Sequence, residues 1–499
     1  MHATVESLSE MSSLKIVIDT LWRRARRFDR HIVTSEPQRA AASVIVAAAV
    51  IFVPLFSAWQ VTSTAAGEAA PLTVPMNASP PPREPVFSIR RIAKTAATEA
   101  RVARVRSNLA AYARDLPADS CLLAIADARS VASVGANVPL TPASNMKLLV
   151  ASAALDVLGA NHRFETSLVG NREGTRIIGD LFLVGGGDPL LSTRAYPPTQ
   201  RYSTISPTFL DTLADEVVTS GVTIVSGSIV GDESRYDAER YVPTWGDGIR
   251  AIEAGPLSAL MVDDGVVLGD PLKPSNPAVG AAIVFTRLLE ARGIQVVGEP
   301  RSGVAPSAVP VIARMQSATL SAILVDVLTN SDNNAAELLL KEIGLKNAQT
   351  PTRVAGLQAA AQALKARGVS MEGVVLADGS GLDAGNRVTC ETLGTLLTSF
   401  GLDSPIGQGL ALAGTTGTLR DVFTSGPAEG RVRAKTGTLR NVKSLSGFFP
   451  TRDGSITFAL ILNDAGVSNQ SQYRPLWNGL MSALNAYRDN PLTEQLLPR

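Results

Sequence analysis

Three short clusters in this chain hold residue types that could do covalent chemistry together. Ser144 and Lys147 stand three apart; Ser331, Asp332 and Asn333 are consecutive, as are Lys435, Thr436 and Gly437. A serine hydroxyl is a poor nucleophile until a base takes its proton. Residues three apart on a helix share a face, so Lys147 can reach the Ser144 hydroxyl. A lysine works as a base only when its pKa falls toward working pH, and burial and a second cation both press it down. The apolar helix opening at Met146 supplies the burial, and Lys435 supplies the cation. Backbone N–H groups at that helix start favour negative charge developing near Ser144. Ser331 can relay a proton to a leaving amine, and Asn333 can hold a substrate amide, both from a tight polar turn. Lys435-Thr436-Gly437 reads as a strand edge. There Lys435 and Thr436 can bind a carboxylate, and Gly437 lets a substrate backbone approach closely. Each cluster has a plainer reading: an N-cap serine, a snorkelling lysine, a polar turn, an edge-strand charge. Their shared order along one chain favours a single catalytic site.

Other chemistries are poorly supplied. The three histidines are His2, His31 and His162. The first two precede an apolar run of membrane-spanning type. His162 follows a helix ending near Gly159 and reads as a surface or capping residue. Neither a metal centre nor a cofactor is expected, and a Ser-His-Asp triad would have to rest on His162 alone. The formal net charge of +1 gives no reason to expect a nucleic-acid partner. Cys121 and Cys390 cannot form a disulfide framework, and two buried free thiols are favoured over one long-range bridge.

The elements that must position these residues follow from periodicity. A helix is expected over Ile92 to Leu116, then strands over Cys121 to Asp127 and Ser130 to Ala136. Met146 to Leu158 reads as a buried helix with Ser144 at its start. Strands follow at Leu181 to Val184 and Val222 to Val230, and a helix at Val279 to Ala291. Two helices, Leu320 to Leu328 and Ala335 to Ile343, flank the Ser331 turn. Strands Val442 to Phe449 and Ser455 to Asn463 meet at Asp453-Gly454, and a helix from Tyr473 to Tyr487 closes the fold. Ahead of all this, Ala40 to Trp59 is uncharged, apolar and long enough to span a bilayer. Lys15, Arg23, Arg24, Arg26, Arg27, Arg30 and Arg39 precede it, which keeps the N-terminus cytoplasmic and exports the rest. An uncleaved anchor is favoured over a signal peptide cut near Ser63-Thr64-Ala65. A Pro-rich spacer then holds the folded part off the membrane.

The three motifs together are those of penicillin-binding proteins and class A β-lactamases. The likeness extends to Gly179-Asp180-Leu181, Gly187-Asp188-Pro189, Gly231-Asp232-Glu233-Ser234, Gly255-Pro256-Leu257-Ser258-Ala259-Leu260, Asp378-Gly379-Ser380-Gly381-Leu382 and Lys435-Thr436-Gly437-Thr438-Leu439. On these segments the chain resembles the class C low-molecular-mass penicillin-binding proteins, the D-alanyl-D-alanine carboxypeptidase/endopeptidase family S13, over roughly residues 100 to 488. The resemblance implies an α/β (α+β) fold. Its serine β-lactamase/transpeptidase-like catalytic domain is an antiparallel sheet flanked by helices, with inserted strand-rich accessory domains. The 187 residues from Ser144 to Ser331 leave room for that insertion. The expected organisation is a basic lead at 1–39, the apolar segment at 40–59, the linker at 60–90, the catalytic domain at 91–168 and 310–490, the insertion at 169–309 and a tail at 491–499.

By the same resemblance, Ser144 is acylated at the penultimate D-Ala carbonyl of a peptidoglycan stem peptide, and water then releases the product. The backbone N–H groups of Ser144 and Thr438 form the oxyanion hole, and Thr438 joins the substrate-binding residues. β-Lactam antibiotics are expected to acylate the same serine and stay. Rival readings are a β-lactamase, an S-x-x-K esterase and a non-enzymatic wall-binding scaffold. A class A β-lactamase needs a deacylating glutamate after S-D-N; Glu337 stands there but reads as a surface or capping-box position. The long basic lead departs from family habit.

Overall fold

The computed structural model describes residues 89–452 and 454–487. The lead, the apolar run 40–59, nearly all of the linker and the tail 491–499 lie outside the described residues. Among the described residues no helix is long and apolar enough to cross a membrane. The described residues form one compact unit.

Helix α1 (Ile89–Tyr112) leads into β1 (Ser120–Ala126) and β2 (Arg129–Val134), and a short 3-10 turn over Ala143–Asn145 opens α2 (Met146–Leu158). The next stretch holds β3 (Glu165–Glu173), β4 (Arg176–Val184), α3 (Asp211–Thr219), β5 (Ile229–Asp232), α4 (Pro277–Glu290) and β6 (Val311–Gln316). Helices α5 (Leu320–Thr329), α6 (Asn333–Ala348), α7 (Arg353–Ala366) and α8 (Cys390–Phe400) follow. The chain closes with β7 (Ala411–Leu412), β8 (Arg433–Leu439), β9 (Val442–Pro450), β10 (Ser455–Asn463) and α9 (Gln470–Asn485).

The first sheet has the order β7-β8-β9-β10-β1-β2 and is antiparallel at every junction. Its central strands are buried on both faces; β1 and β10 are accordingly mostly apolar, while β8 and β9 bury polar residues as well. Successive side chains point to opposite faces. Cys121 and Leu123 of β1 pack with α2, α5, α6 and α8, whereas Leu122 and Ala124 pack with α1 and α9. The same split divides Ala459 and Ile461 of β10 from Phe458, Leu460 and Leu462. The expected helix-flanked antiparallel sheet is present.

A second, seven-stranded mixed sheet is built from residues between Glu165 and Gln316, with its own core against α3 and α4. The expected strand Val222 to Val230 is two short pieces, Ile224–Val225 and Ile229–Asp232, both parallel to β4. Gly227 between them lies where a Cβ would meet the Gly179 backbone at 2.6 Å, so the chain detours around that bend.

The two cysteines are not free thiols. Cys121 of β1 and Cys390, the first residue of α8, form a disulfide with a Cα–Cα separation of 5.9 Å. The helix-facing side of β1 meets the start of α8 within bridging range, a proximity across 269 residues that composition could not reveal.

Candidate active site

Ser144 sits in the turn that opens α2, and local packing holds that turn under tension. Ala143 has φ 48°, a left-handed conformation uncommon for a residue with a Cβ. Its carbonyl lies so close to Gly381 that any side chain there would strike it. Ser444 of β9 braces the other side, donating to the Pro142 carbonyl at 2.7 Å and accepting from the Asn145 amide. Ser144 keeps partial exposure while its neighbours from Thr141 to Val150 are buried.

Lys147 has no exposed surface. Its Nζ lies 3.0 Å from Ser144 Oγ, 2.7 Å from Asn333 Oδ1 and 2.6 Å from the Ser380 carbonyl. Two of these partners, the Asn333 amide oxygen and the Ser380 carbonyl, only accept. A neutral amine directs its two N–H groups at them and leaves its lone pair facing the Ser144 hydroxyl. Burial lowers the Lys147 pKa to about 8, against the pull of Asp378, Glu337, Asp332 and Glu253. Burial, rather than the second cation expected from the sequence, brings this base toward neutrality. The repulsion between the two lysines is borne by Lys435, whose pKa falls well below its ordinary value, first by burial and then by Lys147.

The Ser380 carbonyl is placed by a buried carboxyl that sequence reading put at the surface. Glu337 is 1% exposed. Its Oε1 accepts from the backbone N–H of Gly379 at 2.9 Å and of Ser380 at 2.7 Å. Asp378 braces the same loop, accepting from Gly381 N at 2.8 Å, Asn386 Nδ2 at 2.7 Å and Trp245 Nε1 at 2.9 Å. Burial, reinforced by Asp378, raises the Glu337 pKa to about 8. Its position on α6, two turns from solvent-facing residues, left no local signal of burial. The Asp378-Gly379-Ser380-Gly381 run was the available clue, since so polar a segment must be either a turn or a site.

Ser331 and Asn333 reach the site from the turn between α5 and α6. Ser331 has φ 67° and is half-buried. Asp332 caps α6, its side chain accepting from Ala335 N at 2.9 Å. Asn333 is thereby free to bridge Lys147 and the Glu253 carbonyl, to which its Nδ2 donates at 2.9 Å. The Ser331 hydroxyl makes no hydrogen bond to Ser144 or Lys147. Of the three expected catalytic residues, Ser144 and Lys147 join one hydrogen-bonded cluster with Asn333, and Ser331 lies two residues from Asn333 in the chain.

On β8, Lys435 and Thr436 fall inside the site wall. Lys435 has no exposed surface and donates to the Thr436 carbonyl at 3.0 Å. The Thr436 hydroxyl donates to Thr418 Oγ1 at 2.9 Å. Thr438 is exposed, and its Oγ1 accepts from Lys443 Nζ at 2.8 Å. Gly437 also has a structural reason to be bare. A Cβ there would collide with Ser444 Oγ and stand 2.8 Å from the Pro142 carbonyl, so its bareness lets β8 lie against the Ser144 turn. Strand β7 pairs only with Arg433 and Ala434, which leaves the outer edge of Lys435 to Leu439 without a strand partner. His162 is half-buried, stacked edge-on against Phe164 at 4.8 Å with Nε2 3.7 Å from Glu342. Among the described residues no group of three or more acidic, His or Cys side chains could hold a metal ion.

The arrangement can activate a hydroxyl, hold an amide and receive an anion at one strand edge. The model of the D-Ala-D-Ala carboxypeptidase 3 (S13) family matches residues 105–271 and 268–482. The chain is 32% identical over 409 residues to the D-alanyl-D-alanine carboxypeptidase of Actinomadura sp. (strain R39), covering 65% of this chain and 73% of that protein. It is 31% identical over 451 residues to a carboxypeptidase of Mycobacterium tuberculosis, covering 87% and 95%. Among solved structures, penicillin binding protein 4 of Haemophilus influenzae shares the fold at a TM-score of 0.61 and 21% identity, over 75% of this chain and 99% of that one.

Proposed function

The chain belongs to the S13 family of D-Ala-D-Ala carboxypeptidases, and from that premise we propose that Ser144 is the nucleophile of a serine-type D-Ala-D-Ala carboxypeptidase acting on peptidoglycan stem peptides. The observation that carries the assignment is the Lys147 amine, buried and 3.0 Å from Ser144 Oγ. Lys147 takes the hydroxyl proton as Oγ bonds to the penultimate D-Ala carbonyl carbon. The backbone N–H groups of Ser144 and Thr438 receive the developing oxyanion. When the C–N bond breaks, the proton on Lys147 passes through Ser331 to the leaving D-Ala amine. Water then adds to the ester, its proton returning through Lys147 to Ser144 Oγ, and the shortened peptide leaves. Asn333 orients the substrate amide, and the open edge of β8 with the Thr436 and Thr438 hydroxyls receives the substrate backbone and its terminal carboxylate.

β-Lactams acylate the same serine. The bonded oxygen of Glu337 is taken by two loop amides, and the side chain is sealed from solvent. That supports a long-lived penicilloyl adduct rather than β-lactamase turnover. Residues 91–168 and 310–490 form the catalytic domain in this reading, and 169–309 an inserted accessory domain; the separate second sheet supports the division. The buried Cys121–Cys390 bridge supports an extracytoplasmic, oxidising home. The basic lead and the apolar run 40–59 support anchoring to the cytoplasmic membrane.

Intact-protein mass spectrometry after benzylpenicillin, followed over time, tests the assignment. One adduct on Ser144, stable for many turnovers' worth of time and absent in Ser144→Ala, is expected. Labelling that survives Ser144→Ala, or rapid loss of the adduct with release of product, overturns it.

A further inference from the structure

Lys443 stands on β9 directly opposite Thr438 of β8. It is 8% exposed, yet among the described residues it has no carboxylate within ion-pair distance. Its Nζ lies over the faces of Tyr473 at 4.0 Å and Trp477 at 5.1 Å, both on α9, with Arg474 between them in sequence. Aromatic faces ease a cation's burial but do not neutralise it. Burial, and then Arg474, lower its pKa to about 8, so the ammonium is still charged at neutral pH.

The single hydrogen bond it makes is directional. An ammonium only donates, so the Thr438 hydroxyl accepts from it and keeps its own proton for another acceptor. Thr438 itself lies on the stretch of β8 whose outer edge has no strand partner. Lys435 presents no surface to a ligand there, being fully buried and bonded to the Thr436 carbonyl. A carboxylate docking on the Thr438 hydroxyl would therefore have the Lys443 ammonium directly behind it, 2.8 Å from the hydroxyl oxygen.

We propose that Lys443 is a specificity-determining positioning residue, acting through the Thr438 hydroxyl to favour substrates whose leaving residue carries a free carboxylate. This rests on the carboxypeptidase reading above and deepens it. Charge-assisted hydrogen bonds are roughly twice as strong as neutral ones, so the effect should be read in KM.

The test uses the full-length protein and two substrates, an N-acylated D-Ala-D-Ala dipeptide with a free C-terminus and the same peptide as its C-terminal amide. In Lys443→Met, KM for the free acid should rise on the order of ten- to thirtyfold with kcat within about threefold, and kcat/KM for the amide should hold. Lys443→Arg should recover KM for the acid to within about threefold of wild type. Equal losses on both substrates would mean that Lys443 only packs, and an unchanged KM for the acid would remove its role; either overturns the inference. If the wild type is labelled by benzylpenicillin at Ser144 but does not prefer the acid to the amide, this inference falls and the carboxypeptidase reading stands. If it is neither labelled nor active on the acid, both fall.

Discussion

Acylation of Ser144 should follow the deprotonation of Lys147. Burial holds that amine at about 8, so the neutral, proton-accepting form is the minor species at pH 7 and the major one at pH 9. The fraction able to act rises from roughly one-tenth to nine-tenths across that interval, about a tenfold gain that levels off above it. An unperturbed lysine near 10.4 would gain about a hundredfold over the same interval and show no plateau. The lowered pKa is worth about 3 kcal/mol of deprotonation free energy at pH 7, most of it attributable to desolvation. The sign is fixed: activity is lost as pH falls below 8, because protonation removes the base. Quenched-flow labelling with fluorescent penicillin between pH 6 and 9.5, at constant ionic strength, measures the second-order acylation rate. Glu337 and Lys443 also titrate near 8, so the profile is repeated in Glu337→Gln and Lys443→Met. A slope that continues unbroken past pH 9, or an inflection that disappears with either of those variants, refutes Lys147 as the titrating base.

Three further outcomes follow from the packing. Gly437→Ala drives a methyl into Ser444 Oγ and the Pro142 carbonyl; moving β8 off the Ser144 turn costs about 1–3 kcal/mol and should cut penicillin acylation on the order of a hundredfold, checked by gel labelling against a thermal melt. Glu337→Ala leaves the Gly379 and Ser380 amides unpaired in a sealed site, so a loss of about 3 kcal/mol in stability and a sharp fall in acylation are expected, whereas Glu337→Gln, which keeps an acceptor, should stay within about threefold of wild type. Replacing Cys121 and Cys390 by alanine opens a closure of 269 residues, which chain-entropy reasoning values at about 6 kcal/mol, measurable by urea unfolding. Thiol titration of the unfolded, unreduced protein should find no free thiol from this pair, and two would count against the bridge.

Local spacing alone made part of this molecule legible. The Ser144–Lys147 contact is set by the pitch of one helix, and α2 matches its expected bounds because a predominantly apolar stretch is bracketed by Pro142 and Gly159. Strands β1 and β10 were readable for a similar reason, since burial on both faces makes them mostly apolar. The helices over Arg353–Ala366 and Asp211–Thr219 were not expected; α7, with many alanines and polar residues and few large apolar ones, carries little periodic contrast. Everything that turns a serine beside a lysine into a site came from distant chain. Asn333 is 186 residues from Lys147 and Ser380 is 233. Glu337 reaches the site through a loop, and Gly437 is bare because the Ser144 turn presses on it. Cys390 finds Cys121 only once α8 lies on the sheet. Hydrogen bonds and steric contacts act over a few ångströms, and which residues come that close is decided by how the layers pack, not by their order along the chain.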